Sequence, residues 1–224
     1  GSLLLGGHGI AQELHPDTLK ESRELKHGDQ DRIWSIIADH TFIYTGSDDG
    51  VRRFRRGEEE PEEKVLAGRR IYCLVLDGDR IYANVAGEEV HIVENCSGSL
   101  ASSTATRFFQ SPVKGSLEDR GMDISARGIA LVGHHLYVSS RPFDVHKFLA
   151  SSLEKGPVGV FSIEPLDPRS TWVTAITGFG NMLAVIYGGS TEIAVFDTVR
   201  GLRVHSHKKP YHGHVGEIFD MCVY

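Results

Sequence analysis

No stretch of this 224-residue sequence stays apolar long enough to span a bilayer, which takes about 20 residues in a helix. Cysteine is scarce: Cys73, Cys96 and Cys222 are an odd number without paired spacing. That argues against a disulfide framework and fits reduced thiols in a cytoplasmic or nuclear setting rather than a secreted protein. Basic charge is not in excess either. With 24 Lys+Arg against 30 Asp+Glu the formal net charge is -6, which makes a general nucleic-acid binder unexpected. The opening "GSLLLGGHGI" has an apolar patch but no basic n-region and no cleavage-site pattern, so no signal peptide is expected. Catalytic signatures are missing as well: there is no G-x-S-x-G, no H-E-x-x-H and no Walker loop. The glycines of "GFGNMLAVIYGG" sit inside a hairpin pattern, not ahead of a helix, and make no dinucleotide loop.

What the chain does have is turns and β-formers. Its 25 glycines punctuate short runs of Val, Ile, Tyr and Thr, which is an all-β composition. The runs repeat. "RIWSI" at 32–36, "RIYCL" at 70–74 and "EIFDM" at 217–221 share a charged residue, Ile, an aromatic, a small or polar residue, then Ile, Leu or Met. The first two continue alike, Asp39 matching Asp77 and Ile43-Tyr44 matching Ile81-Tyr82. Ile33 and Ile71 lie 38 residues apart, and Val173 and Ile218 lie 45 apart. Looser copies occur in "SARGIALVGHHLYVSS" and "WVTAITGFGNMLAVIYGGSTEIAVFDTVRG". Strand, turn, strand, tight turn, third strand and weaker fourth, at a period of roughly 40 to 45, predict a β-propeller of four-stranded antiparallel blades.

Several of these stretches resemble WD-repeat proteins. "TGSDDGVRRF" and "YGGSTEIAVFDTVRG" look like second-to-third-strand turns of that family, and "YHGHVGEIFDM" looks like its Gly-His loop and first strand. The resemblance covers nearly the whole chain, with worn motifs. No Trp-Asp dipeptide occurs, Phe196-Asp197 being nearest; His214 holds the loop position, Asp29 replaces it in the first full copy, and Arg55 or Phe54 stands at the Trp place. The resemblance implies a divergent WD-repeat propeller in a single domain, 1–224, with blades at 27–66, 67–115, 116–170 and 171–211. An incomplete blade, 2–26, begins with a second strand at Leu3–Gly6, and 212–224 would supply its first strand. Ile218–Tyr224 is then expected to hydrogen-bond to Leu3–Gly6, giving five blades if the ends close the ring. The alternative is a fragment of a seven-bladed ring.

Two stretches break the period. The Ser/Thr-rich 95–116 reads as a long, mobile loop. Within 141–161 an insert precedes a third strand at Val158–Ile163, with a helical turn or two expected around Val145–Leu153. Loops of this length are often contact surfaces.

In the WD-repeat pattern the residue before each first strand faces the narrow rim around the central opening. Those positions here are Arg32, Arg70, Glu217, Trp172 and Ser125, with Arg69 and Arg120 nearby. Arg32, Arg70, Arg120, Trp172 and Glu217 are the candidate partner-binding residues, and converging arginines would suit an acidic or phosphorylated peptide. The competing reading makes them solvated loop residues paired with Asp29, Asp31 or Asp119. "VRRFRRGEEEPEEK" (51–64) reads as a hairpin whose arginines and glutamates screen each other. His205, His207, His212 and His214 lack a cysteine or carboxylate partner in register, so no metal is expected. Trp34, Tyr72 and Phe219 recur at one repeat position, the mark of packing between blades. Asp220, Asp123 and Glu217 lie near first strands but form no catalytic constellation. The expectation is a non-catalytic protein–protein interaction scaffold of a larger assembly, without cofactor, membrane or nucleic acid. The alternative is a propeller-fold hydrolase with channel-lining carboxylates.

Overall fold

A computed structural model gives the fold and describes residues 3–6, 10–14, 21–27, 31–86, 89–94, 98, 105–110, 128–140, 143–168, 170, 172–189 and 192–207. The chain divides into two compact units, Gly1–Phe109 and Gln110–Tyr224. In the first, β1 (Leu3–Gly6), β2 (Ile10–Leu14) and β3 (Glu21–Lys26) form a three-stranded sheet. Two four-stranded sheets follow: β4 (Ile33–Ala38), β5 (Phe42–Ser47), β6 (Gly50–Arg55), β7 (Glu63–Val65), then β8 (Ile71–Asp77), β9 (Arg80–Val85), β10 (Glu89–Glu94), β11 (Ala105–Gln110). The second unit holds two more: β12 (Ile129–Val132), β13 (His135–Ser140), β14 (Asp144–Leu149), β15 (Gly159–Ser162), and β16 (Trp172–Phe179), β17 (Met182–Gly188), β18 (Ile193–Asp197), β19 (Leu202–His207). In every sheet the strands are neighbours in chain order, which is the meander of a propeller blade. The fold class is all-β, with four-stranded antiparallel blades. No helix among the described residues is long and apolar enough to cross a membrane.

The repeat seen in the sequence has a local cause in each sheet. The hairpins β8–β9, β12–β13 and β16–β17 turn on Gly78, Gly133 and Gly180, all at positive φ (58°, 58° and 54°). They occupy the first central position of a two-residue turn, which side chains other than glycine adopt at a cost. First strands carry a recurrent bulge: the register shifts between Ile33 and Ser35, Ile71 and Cys73, and Val173 and Ala175. The extra residues are Trp34, Tyr72 and Thr174. Second strands bury a recurrent tyrosine, with Tyr44, Tyr82 and Tyr137 all essentially inaccessible.

Third strands show why the sheets are sandwiched. In three of the four, buried apolar residues are spaced by three: Val51 and Phe54, Val90 and Val93, Val145 and Phe148. In a strand that spacing places the two on opposite faces. Val51 accordingly joins the core shared with Ile71, Ile81 and Val93 of the next sheet, while Phe54 joins Ala11, Leu25 and Ile33 on the other side. The β4–β7 sheet thus packs on both faces within its unit. In the second unit one core, including Tyr137, Val145, Ile176, Leu183 and Phe196, joins the β12–β15 and β16–β19 sheets.

Two expectations are corrected. Part of the stretch read as a mobile loop, Ala105–Gln110, is the fourth strand β11. Residues 144–149, read as helical, form the third strand β14, and the helical structure here is a single 3-10 turn at Leu153–Lys155. The fourth strand β15 then begins at Gly159. A strand stands at Leu3–Gly6, where the sequence placed one. The expected pairing of Ile218–Tyr224 lies outside the described residues.

Candidate functional site

The positions ahead of the first strands are built alike. The Arg32 carbonyl accepts the Asp48 N–H at 3.1 Å, the Arg70 carbonyl accepts that of Ala86 at 2.9 Å, and the Gly128 carbonyl accepts that of Ser139 at 2.9 Å. Each bond ties the entry of a first strand to the exit of its second. At two of these positions the side chain is an arginine, and Asp48 brings them together. Its backbone holds Arg32, while its carboxylate forms an ion pair with Arg70 Nε at 2.7 Å and accepts the Trp34 indole N–H at 2.9 Å. Trp34 meets Tyr72 edge-on, ring centroids 5.6 Å apart, so the two bulge aromatics pack sheet against sheet as expected. Arg32 is exposed and Arg70 half-buried. Trp172 is half-buried too, its indole against Gly188, the residue opposite it in the β16–β17 ladder. A Cβ at Gly188 would overlap that ring, so glycine is what allows the indole to lie there. Arg120, Ser125 and Glu217 lie outside the described residues.

The arginine-rich hairpin is screened by its own acids. Arg53, nearly inaccessible, pairs with Glu62 at 3.3 Å and Glu63 at 2.9 Å, and its guanidinium stands 4.3 Å from the Phe42 ring centroid. Arg55 pairs with Glu62 at 2.7 Å, and Arg56 Nε donates to the Asp39 carbonyl at 2.8 Å. Arg52 reaches back to Asp31 and donates to His27 Nδ1 at 2.6 Å. A guanidinium only donates, so Nδ1 accepts and the imidazole is neutral. Burial, then the charge of Arg52, lower the His27 pKa to about 4, against the pull of Asp31.

Elsewhere the ratio of charges reverses. Glu89, at the start of β10, meets Arg107 of β11 at 2.9 Å through Oε1, and both Arg69 and His91 through Oε2, the latter at 3.0 Å. Burial raises the Glu89 pKa, but hydrogen bonds from His91, Arg107 and Arg69 outweigh it and hold the carboxyl at about 2. The sequence named Arg69 only as a neighbour of the rim and left Glu89, His91 and Arg107 unnoticed. Arg107 sits in the Ser/Thr-rich stretch read as a loop, and the pairing that brings it to Glu89 is tertiary.

In the second unit, Glu192 is wholly enclosed by donors. The N–H groups of Leu166 (2.9 Å) and Asp167 (3.0 Å), the Ser206 hydroxyl (2.9 Å) and Arg203 all meet its carboxylate. Burial pushes its pKa up, yet these bonds hold it below the ordinary range. This node fastens the segment after β15 to β19 and has a structural role. His205 is exposed on β19, whereas His212 and His214 lie outside the described residues. Among the described residues no three His, Cys, Asp or Glu are grouped to hold a metal ion.

No family model matches the chain, and no curated protein does. Among solved structures, a chain in the crystal structure of a mitotic checkpoint complex is similar, with 17% sequence identity and a TM-score of 0.67. The alignment covers 93% of this chain and 60% of that one. At this identity the likeness shows the fold. The chain spans about three fifths of its neighbour's length.

Proposed function

We propose that this protein is a divergent WD-repeat propeller acting as a non-catalytic scaffold, in the cytoplasm or nucleus, that presents a partly basic rim to other proteins. The observation that carries the reading is the repeated rim position. Arg32 and Arg70 stand at equivalent places before β4 and β8, fixed by the same backbone bond and joined through Asp48. A rigid backbone beneath an exposed cation is what recognition of a partner segment requires, since little is then spent on ordering it. The similar chain's occurrence in a checkpoint complex supports the same reading. In the sequence repeat Trp172 and Glu217 hold the same position ahead of a first strand and Arg120 lies near one, with the Trp172 ring partly committed to Gly188.

The test compares partners recovered from a native extract by the wild-type chain and by Arg32→Glu, each checked by circular dichroism for an unchanged fold. Arg32 is exposed, so the charge reversal leaves the sheets intact. Selective loss of one or more partners is expected. Identical recovery by both proteins removes the rim from the function.

A further inference from the structure

Glu89 is 14% exposed and lies beneath two guanidiniums that are not: Arg69 is 44% exposed and Arg107 52%. One carboxylate therefore anchors two arginines, one on each oxygen, with His91 completing the set. Each guanidinium carries five N–H donors in a fixed fork. Each is clamped at one edge by Glu89, and about half of each side chain reaches solvent. An arginine ordered in advance loses less freedom on binding. Arg69, Arg107 and Glu89 together carry one surplus positive charge.

We propose that Arg69 and Arg107, clamped by Glu89, form a docking site for a short acidic segment of a partner protein, whose Asp or Glu side chains they engage as charge-assisted pairs. This rests on the scaffold reading but uses residues separate from Arg32. The overall charge of -6 favours a short segment over a long polyanion. A nucleic acid or an anionic membrane feels the repulsive field of the whole protein, whereas a few carboxylates within a Debye length of about 10 Å feel the local surplus. Arginine also presents the planar fork that matches a carboxylate, so lysine at either position would serve less well.

The experiment titrates the intact chain into a fluorescein-labelled peptide of alternating Glu and Ser, about ten residues long, followed by anisotropy at about 50 mM salt. Controls are the same peptide with Gln for Glu, and a single-stranded oligonucleotide of equal length. Saturable binding of the Glu peptide is expected, with the Gln peptide and the double variant Arg69→Gln/Arg107→Gln at least about tenfold weaker. Binding should also weaken as salt is raised. Arg200→Gln, at an exposed arginine of the second unit, should bind the peptide as the wild type does; partner recovery by Arg32→Glu is read separately, which keeps failure of this site apart from failure of the rim. Absence of binding to the Glu peptide, equal binding of the Gln peptide, tighter binding of the oligonucleotide, or an unaffected double variant would each overturn the proposal.

Discussion

The β6–β7 hairpin and the Glu89 node are both arginine-rich, yet their charges are settled in opposite ways. In the hairpin, antiparallel register sets Arg53 opposite Glu63 and Arg52 opposite Lys64, and the acids that follow in the sequence fold back onto the arginines. Glu62 and Glu63 match Arg53 and Arg55 acid for arginine, and Arg53 meets both. At Glu89 one acid serves two arginines and a histidine. The run that is conspicuous in the sequence is therefore spent on stability, while the surplus cations come from positions 18 and 20 residues away from their shared acid. Density of charge along a chain is a poor guide to free charge on a surface; the ratio of partners in space decides it.

The contrast is open to test, beginning with the largest effect. Arg53→Ala strips Glu62 and Glu63 of an inaccessible partner and uncovers the Phe42 ring. It should cost about 3 kcal/mol, read as a lowered urea midpoint at unchanged slope. Wild-type stability in this variant would break the distinction between the two regions. Next comes acidification of the Arg52 end. His27 stays neutral in the folded chain down to about pH 4, whereas the unfolded chain takes up a proton near pH 6.5. Its contribution is therefore complete above pH 6.5 and is lost as pH falls from there toward 4, by at most about 1.4 kcal/mol per pH unit. His27→Asn keeps an acceptor near Nδ1 and should flatten that part of the stability–pH curve; a curve with the same slope in both proteins counts against the assignment.

Smaller effects are expected at the node. Glu89→Gln loses exposed pairs and leaves two arginines facing each other, for about 1 kcal/mol at neutral pH. In the wild type that contribution is present above the ordinary glutamate range and is lost as pH falls toward about 2, so the variant should gain on the wild type in acid. Smallest of all, Arg69→Ala should change stability by no more than about 0.5 kcal/mol. A loss as large as that of Arg53→Ala would make Arg69 a structural residue and erase the comparison.

The sequence made the repeat legible because it recurs in local chemistry: a bulge aromatic, a buried tyrosine, a turn glycine. Trp34, Tyr72, Tyr44 and Tyr82 could be aligned by eye and do share their places in the sheets. It misled where burial breaks simple alternation. "DVHKFL" buries Val145 and Phe148, a spacing of three that suggests a helix, because both faces of the strand are covered. Polarity hid β11, a fourth strand among serines and threonines that pairs through its backbone. The candidate site divided along the same line. Arg32 and Arg70 followed from repeat position; their shared dependence on Asp48 and the assembly of Arg69, His91 and Arg107 around Glu89 required tertiary contacts.

The indole beside Gly188 has one more use. The sequence contains two tryptophans, and each unit holds one: Trp34 in the first, Trp172 in the second. Both are half-buried, Trp34 donating to Asp48 and Trp172 lying against a bare backbone, so each fluoresces from a defined folded environment. Trp34→Phe and Trp172→Phe leave a single emitter apiece and turn each half of the chain into its own optical thermometer. Coincident melts would mark one cooperative transition and separated melts two.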